Sequence, residues 1–532
     1  MNKKNIGSFY TPKIIADFLV DYLSDKMKDN TSVSVLEPSA GAGSFIESIY
    51  NHNTLSNKIH LAVAVEREKA ELEKVRAITS VKSLNAINAD FLEFQKNNDT
   101  EFDLVVGNPP YFRKKFLTEK QIKLCEEVHQ VFPSLSKNKI KNIWTAFLVR
   151  CIKFTNADGI LAMVLPAELL QVKFAAELQA LLLAEFERIE IFTFNELLFE
   201  DCKGQDTLLL IGERKSKKKG VYNCNIVDTN DLIKRNFKLT QNISIKQGKW
   251  THSHLTSDER QLLENLKNQL KTVDDYCYSK AGIVTGANDY FIVDKETMEE
   301  FRLEDYSKKI IQKGFFVNGS VEINGHDFNK LIRTKKPTYL LDFNVDLSKK
   351  QKAELANYFK IGEEKKIHER YKTSIRDNWY QVPNVGTPSE AFFFKRCNEY
   401  PKLIKNSAKV LVTDSAYAIK MNKGLDIESL IYSFYNSLTL SFAELEGRFY
   451  GGGVLELTPN EFKILPIPYT TINNAQFKTY TNIFENKSSI ADVCRMNDAK
   501  ILKTIDRKID LPTIENIFSI REKLYHSRIK VK

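Results

Sequence analysis

Asn108-Pro109-Pro110-Tyr111 is the stretch with the most chemical content. It follows Asp103 to Val106, a short apolar run that reads as a buried strand. Two consecutive prolines cannot continue a hydrogen-bonded ladder, because neither has an N–H to donate. A rigid loop therefore projects from the end of the strand, carrying an amide side chain and an aromatic ring. Such a loop suits chemistry on a flat molecule that bears an amino group.

Upstream, three strands end in residues able to hold parts of a nucleotide-like ligand. Val33 to Leu36 reads as a strand, and Glu37-Pro38-Ser39-Ala40-Gly41-Ala42-Gly43-Ser44 leads into an apolar-periodic helix from Phe45. Strand, glycine turn and helix together cradle such a ligand on backbone N–H groups. The glycines make neither a full G-x-G-x-x-G nor a phosphate loop, which needs G-K-S/T. His60 to Val65 is the next strand; it ends at Glu66, where a carboxylate suits the two hydroxyls of a ribose. Ala86 to Asn88 ends in Asp90-Phe91, an acid that can accept from an exocyclic amine beside a ring that can sandwich an adenine. Each of these alone also fits a structural role, Glu66 for example a solvated helix cap. Their order, each at a strand's C-terminal end, describes the crevice of a doubly wound sheet.

Other elements must hold these strand ends together. Thr11-Pro12 opens a helix with Ile14, Ile15, Phe18, Leu19 and Tyr22 at helical spacing. Asn142 to Phe154 reads as a helix with Trp144, Phe147, Leu148 and Cys151 on one side. Gly159 to Leu165 is a very apolar fifth strand stopped by Pro166, and Glu168 to Leu183 reads as one long amphipathic helix. Glu187 to Phe194 and Thr207 to Gly212 are two more strands, with Phe199 on their connection. That pair lacks a full crossover helix and is expected to be antiparallel, while the rest of the alternation predicts a mostly parallel sheet covered on both faces. Phe112 to Lys141 carries Arg113, Lys114, Lys115, Lys137, Lys139 and Lys141, which fits a loop over bound DNA and equally a solvated face.

From about Thr240 the alternation stops. Ala281 to Phe291 reads as glycine turns joining short strands. Basic and aromatic residues interleave in Lys365 to Tyr380 and in Phe392 to Lys405, which suits stacking and phosphate contact, or a half-buried sheet. Gly451-Gly452-Gly453 precedes a short apolar strand and Pro466-Ile467-Pro468. The tail reads as helices ending in a basic stretch of Arg521, Lys523, Arg528, Lys530 and Lys532.

The totals bound the class. The chain has 532 residues and 42% hydrophobic residues, enough for two to four packed domains. Its net charge of +10 fits a polyanion partner without requiring one. Seven scattered cysteines with no C-x-x-C pair argue for reduced thiols in a cytoplasm, and neither they nor the histidines suggest a metal site. No signal peptide or membrane-spanning run is expected.

Taken in order, Phe9-Tyr10-Thr11-Pro12, Leu36 to Gly43, Glu66, Ala89-Asp90-Phe91, Asn108-Pro109-Pro110-Tyr111, Ala146-Phe147 and the Phe199 region resemble the gamma-class (TaqI-like) N6-adenine DNA methyltransferases of restriction-modification systems. The resemblance covers nearly all of the first 215 residues; Gly282 to Phe291 and Gly451 to Pro468 resemble that family's specificity domain more loosely. It implies an α/β fold: a Rossmann-like sheet of the S-adenosyl-L-methionine (AdoMet)-dependent kind with helices on both faces over residues 1–240. A mixed α+β target-recognition domain over 241–470 and a C-terminal helical segment over 471–532 would follow. It further implies a sequence-specific enzyme on double-stranded DNA, working either alone or beside a separate cognate restriction endonuclease, and a monomer and a cytoplasmic location are expected.

By this resemblance, Thr11, Glu37 and Gly41 line the methionine end of AdoMet, Glu66 takes the ribose, Asp90 and Phe91 hold the cofactor's adenine, and Tyr10, Pro38, Ser39 and Gly43 also bind the cofactor. Asn108, Pro109, Pro110 and Tyr111 are the catalytic loop, with Asn108 and Pro109 also touching the cofactor. Tyr111 and Phe199 face a flipped-out target base, with Phe147 nearby. The same loop serves N4-cytosine methylation, which the sequence does not separate from N6-adenine. It also serves glutamine methylation of release factors, whose enzymes lack a large second domain. A DNA-binding subunit with an inactive methyltransferase fold is the reading from a different class.

Overall fold

The computed structural model describes residues 11–78, 82–94, 100–135, 140–171, 173–194, 207–242, 250, 255–317, 319–450 and 453–529. Tyr10, Phe199, Cys202, Lys137, Lys139, Gly451 and Gly452 lie outside them. The chain divides into two compact units, one running to Asp258 and the other from Glu259 to Ile529, with Tyr450 grouped with the first.

The first unit is built on a nine-stranded sheet. Its strands in chain order are β1 (Val33–Glu37), β2 (Ile59–Glu66), β3 (Leu84–Asn88), β4 (Phe102–Gly107), β5 (Thr155–Pro166), β6 (Arg188–Phe194), β7 (Thr207–Glu213), β8 (Gly220–Ile226) and β9 (Thr240–Asn242). The order across the sheet is β3-β2-β1-β4-β5-β7-β6-β8-β9. β1 pairs in parallel with β2 and β4, and β4 with β5. β7 runs antiparallel to both β5 and β6, as the short β6–β7 connection requires. The order reverses at β1, so a crevice opens beyond the C-terminal ends of β1 and β4.

Central strands buried on both faces explain their unbroken apolar sequences. On one face Val35, Leu104 and Val106 pack against Ile15 and Phe18 of α1 (Lys13–Lys26) and Phe45 and Ile49 of α2 (Ser44–Asn51). α3 (Lys69–Ile78) adds Val75 beside Ile46 of α2. On the other face Leu36, Val105 and Leu161 pack against α4 (Glu119–His129), α5 (Trp144–Phe154) and the helix pair after β5.

Two local expectations are corrected, and the sheet extends beyond the strands read from the sequence. The helix expected over Glu168 to Leu183 is two pieces, α6 (Glu168–Gln171) and α7 (Ala176–Glu185), joined through a 3-10 turn. The buried Gln179 Nε2 donates to Leu169 O at 2.7 Å, so a side chain serves a carbonyl at the break. The 11 residues of α4 lie within the lysine-rich Phe112 to Lys141 stretch, started by a reciprocal Thr118–Gln121 capping box and buried through Leu124, Cys125 and Val128. The sheet also continues past Glu213 through β8 and β9, because Gly220, at φ +119°, turns the chain back along β6.

In the second unit, Cys277–Ala281, Ala416–Met421, Ala391–Phe394, Lys402–Asn406 and Glu322–Ile323 lie side by side in a five-stranded sheet. Phe392, Phe393 and Phe394 are all buried, so the aromatic-basic pattern there belongs to a covered sheet. Within Lys365 to Tyr380, Trp379 and Tyr380 pack on a core, whereas Tyr371 and Ile375 are exposed. The Gly282 to Phe291 stretch contains an isolated bridge at Ile283 and a short helix, Asn288–Phe291, in place of strands. The tail forms helices Asn474–Glu485, Ile490–Ile501 and Leu511–Arg528. Its basic end is not all exposed: Arg521 and Arg528 are buried, and Arg528 is held by Glu444.

Candidate active site

One cleft collects the strand-end residues. Pro38, Ser39 and Gly41 after β1, Glu66 at the end of β2, Asp90 and Phe91 after β3, Asn108, Pro109 and Pro110 after β4, and Phe147 of α5 all line it. Thr11, Glu37 and Tyr111 are buried. Gly43 caps the start of α2 at φ +90°, where an added Cβ would meet Ile78 Cδ1 at 2.4 Å. Tyr10 and Phe199 lie outside the described residues.

The loop after β4 is held from two sides. Ser39 Oγ donates to Asn108 O at 2.9 Å, tying it to the glycine turn. The Tyr111 hydroxyl lies 2.7 Å from Asn108 Oδ1 and 3.0 Å from Val164 O, which anchors the amide to β5. Gly107 allows the approach, since a Cβ there would stand 2.8 Å from Pro38 Cδ. The Asn108 amide is thus fixed in direction at the edge of the cleft. The Tyr111 ring is only 6% exposed in this state.

Backbone donors hold the acidic groups. Gly41 N–H donates to Glu66 Oε2 at 2.9 Å and Glu68 N–H to Oε1 at 2.8 Å. Both carboxylate oxygens keep lone pairs able to accept from a diol. Asn88 Nδ2 donates to Glu66 O and Arg67 O, locking the end of β3 to that of β2. Leu92 N–H donates to Asp90 Oδ1 at 3.0 Å. Phe91 packs against Phe147 with ring centroids 5.2 Å apart, and the Arg150 guanidinium lies 5.6 Å from the Phe91 centroid.

Glu37 carries the strongest electrostatic signature. It is 2% exposed, and its Oε2 has no hydrogen-bond partner among the described residues. Burial pushes its carboxyl well above the usual carboxylate range; the Ile46 backbone N–H opposes that shift and the Glu66 charge adds to it. A cationic group delivered here would satisfy the orphaned oxygen and reverse the penalty. The ammonium and sulfonium of AdoMet fit such a site, as its ribose and adenine fit Glu66, Asp90 and Phe91.

Arg67, Glu68, Phe112, Gln121 and Ile143 also line the cleft and were not singled out from the sequence. Phe112 adjoins Tyr111, and Thr118-x-x-Gln121 is a helix-start signature that places Gln121. Arg67, Glu68 and Ile143 carry no such signal. Among the described residues, no group of three or more side chains could hold a metal ion, and no helix is long and apolar enough to cross a membrane.

Comparison with known proteins gives two family matches. Residues 40–199 match the Eco57I restriction-modification methylase family, and residues 247–502 match the C-terminal domain of type II methyltransferase M.Eco57I. The type II methyltransferase M.AccI of Acinetobacter calcoaceticus is 24% identical over 86% of this chain and 85% of its own length. M.CvrRI of Paramecium bursaria Chlorella virus XZ-6E is 32% identical, over 32% of this chain and 38% of its own. Among solved structures, the DrdV–DNA complex superposes with a TM-score of 0.52 at 10% identity, covering 90% of this chain and 57% of that one. A nuclease-deletion mutant of the Type ISP restriction-modification enzyme LlaGI, bound to a DNA substrate mimic, gives 0.51 at 13% identity, covering 90% of this chain and 47% of that one. These likenesses are of fold.

Proposed function

We propose that this chain, an AdoMet-dependent DNA methyltransferase of the restriction-modification type with a C-terminal domain, methylates N6 of an adenine flipped out of duplex DNA at a specific sequence. The observation that carries the reading is the meeting of the fixed Asn108 loop with Glu66, Asp90 and Phe91 in one cleft, beside the buried, unsatisfied Glu37.

Bound AdoMet supplies a methyl group on a sulfonium sulfur. Glu37, with Thr11, Gly41 and the turn residues Pro38, Ser39 and Gly43, holds the methionine end; Tyr10 adjoins Thr11 in sequence and belongs with them. Glu66 accepts from the ribose hydroxyls, and Asp90 and Phe91 take the adenine, with Phe147 backing Phe91 and the target base beyond it. An adenine amino lone pair is delocalised into the ring and is a poor nucleophile. Asn108 Oδ1 and the Pro109 carbonyl each accept one N6 hydrogen, which draws the nitrogen towards tetrahedral geometry and aims its lone pair at the methyl carbon. The N–C bond forms as the S–C bond breaks, and one N6 proton leaves to solvent. Positioning is the main catalytic contribution, and effective molarities of ~10⁵ M or more are available to well-aligned groups. Tyr111 and Phe199 face the extruded base. The C-terminal domain reads the sequence, and the protein acts as a monomer in the cytoplasm, alone or beside a separate endonuclease.

Transfer of radiolabelled methyl to duplex DNA, followed by mass spectrometry of the nucleosides, tests this reading. N6-methyladenine is the expected product; N4-methylcytosine would overturn the base assignment. Asn108→Ala is expected to lower transfer by about a thousandfold or more, with AdoMet affinity by calorimetry nearly unchanged. Full activity of that variant would contradict the mechanism.

A further inference from the structure

Immediately beyond the catalytic loop the chain makes a turn that the reaction above does not use. Phe112 and Ile143 line the cleft, and Ile143 N–H donates to Phe112 O at 2.9 Å. Lys114 N–H donates to Lys141 O at 2.7 Å, and an antiparallel bridge joins Arg113 to Asn142. The turn is thus bonded to the cleft wall through its backbone. Lys114–Phe116 is a 3-10 turn, and Phe116 is 67% exposed. Lys115 Nζ stands 4.7 Å from the centroid of that ring. Arg113 and Lys115 are exposed, and no acidic residue occurs between Pro109 and Thr118, although Arg113 lies near enough to the Glu168 carboxyl to act on it. Lys120, further on, is paired with Glu93 at 2.9 Å.

An exposed phenylalanine forgoes its burial energy, and successive cations beside it repel one another. One occupant relieves both conditions: a nucleic-acid duplex, which offers flat bases to the ring and phosphates to the cations. The place of the turn names the site on that duplex. It begins two residues after Tyr111, so DNA seated here brings the position vacated by a flipped base beside the loop that receives the base.

We propose that Phe116 stacks on the face left bare in the duplex when the target base leaves, with Arg113, Lys114 and Lys115 on the flanking phosphates. The proposal rests on the DNA-methylation reading and identifies positioning residues for it. Phe116 touches neither the reacting nitrogen nor the cofactor; it stabilises the opened duplex.

The test uses the full chain as wild type, F116A, F116W and K114A/K115A. The substrate is a duplex carrying the motif that the wild type modifies, fully paired or with a mismatch at the target base pair. F116A is expected to slow single-turnover methylation of the paired duplex by about ten- to a hundredfold and to recover most of that on the mismatch, where the base leaves the stack more readily. F116W retains the rate, and all variants keep the wild-type AdoMet affinity, which reports an intact fold. K114A/K115A is expected to reduce the slope of log affinity against log salt by about 2. No loss in F116A, or an equal loss on paired and mismatched duplexes, overturns the role of Phe116. An unchanged salt slope overturns the phosphate contacts. A wild type that modifies no DNA motif, so that no such duplex can be designed, refutes the underlying reading and this proposal with it, and is distinguished by failing before any variant is compared.

Discussion

Glu37 shows how a residue legible in sequence acquires meaning only from burial. The family resemblance carried by the stretch Leu36 to Gly43 implies that it is a ligand group. Burial adds the isolation that drives its carboxyl upward. Because the folded protein favours the protonated acid, the stability that Glu37 contributes is greatest at acidic pH. It is lost as pH rises from the ordinary carboxyl range through the raised value. A bound cation removes the penalty, so the thermal stabilisation given by AdoMet is expected to grow with pH across that window. Glu37→Gln should flatten this dependence, weaken AdoMet binding by about tenfold or more and leave the ligand-free protein at least as stable as the wild type. Calorimetry and thermal shift between pH 5 and pH 8 check this; unchanged affinity in the variant would contradict the assignment. Tyr111 was less legible. Its motif marks a ring for a base, but only the structure shows the hydroxyl against Asn108 Oδ1 and Val164 O.

The central strands of the first unit, β1 and β4, were legible as elements because each is short, largely apolar and ended by a turn signal, and the apolar half of β5 was legible because Pro166 stops it. Helices were legible where capping or periodicity was strong and illegible where tertiary contacts intervened, as between α6 and α7, where Gln179 serves the Leu169 carbonyl. The tail makes the same point about charge. Arg528 belongs to the basic stretch read at the end of the tail. Yet its guanidinium meets Glu444 at 2.6 and 2.8 Å and Asn398 O at 2.6 Å, with Gly453 O also accepting. A charge count cannot reveal a partner 84 residues away. Both side chains are almost fully buried, so Arg528→Ala strands the Glu444 carboxylate in the interior. It is expected to destabilise the second unit by about 3–5 kcal/mol. Chemical unfolding checks this, and a loss below about 1 kcal/mol would show the pair to be hydrated.

For the whole molecule, the order of motifs foretold a single crevice because the strand-order reversal at β1 brings successive strand ends together. The second unit was far less legible. Its short strands pair across long stretches of sequence, Glu322–Ile323 with Lys405–Asn406 for example, and local periodicity does not encode such pairings. Its task in the account is to choose the sequence at which the first unit acts. Single-molecule sequencing of DNA from a methylation-free host expressing the full chain tests both together. The account predicts N6-methyladenine at one recurring motif, lost when Asn108→Ala is expressed instead. Unmodified DNA from a host that makes soluble protein able to bind AdoMet would contradict it.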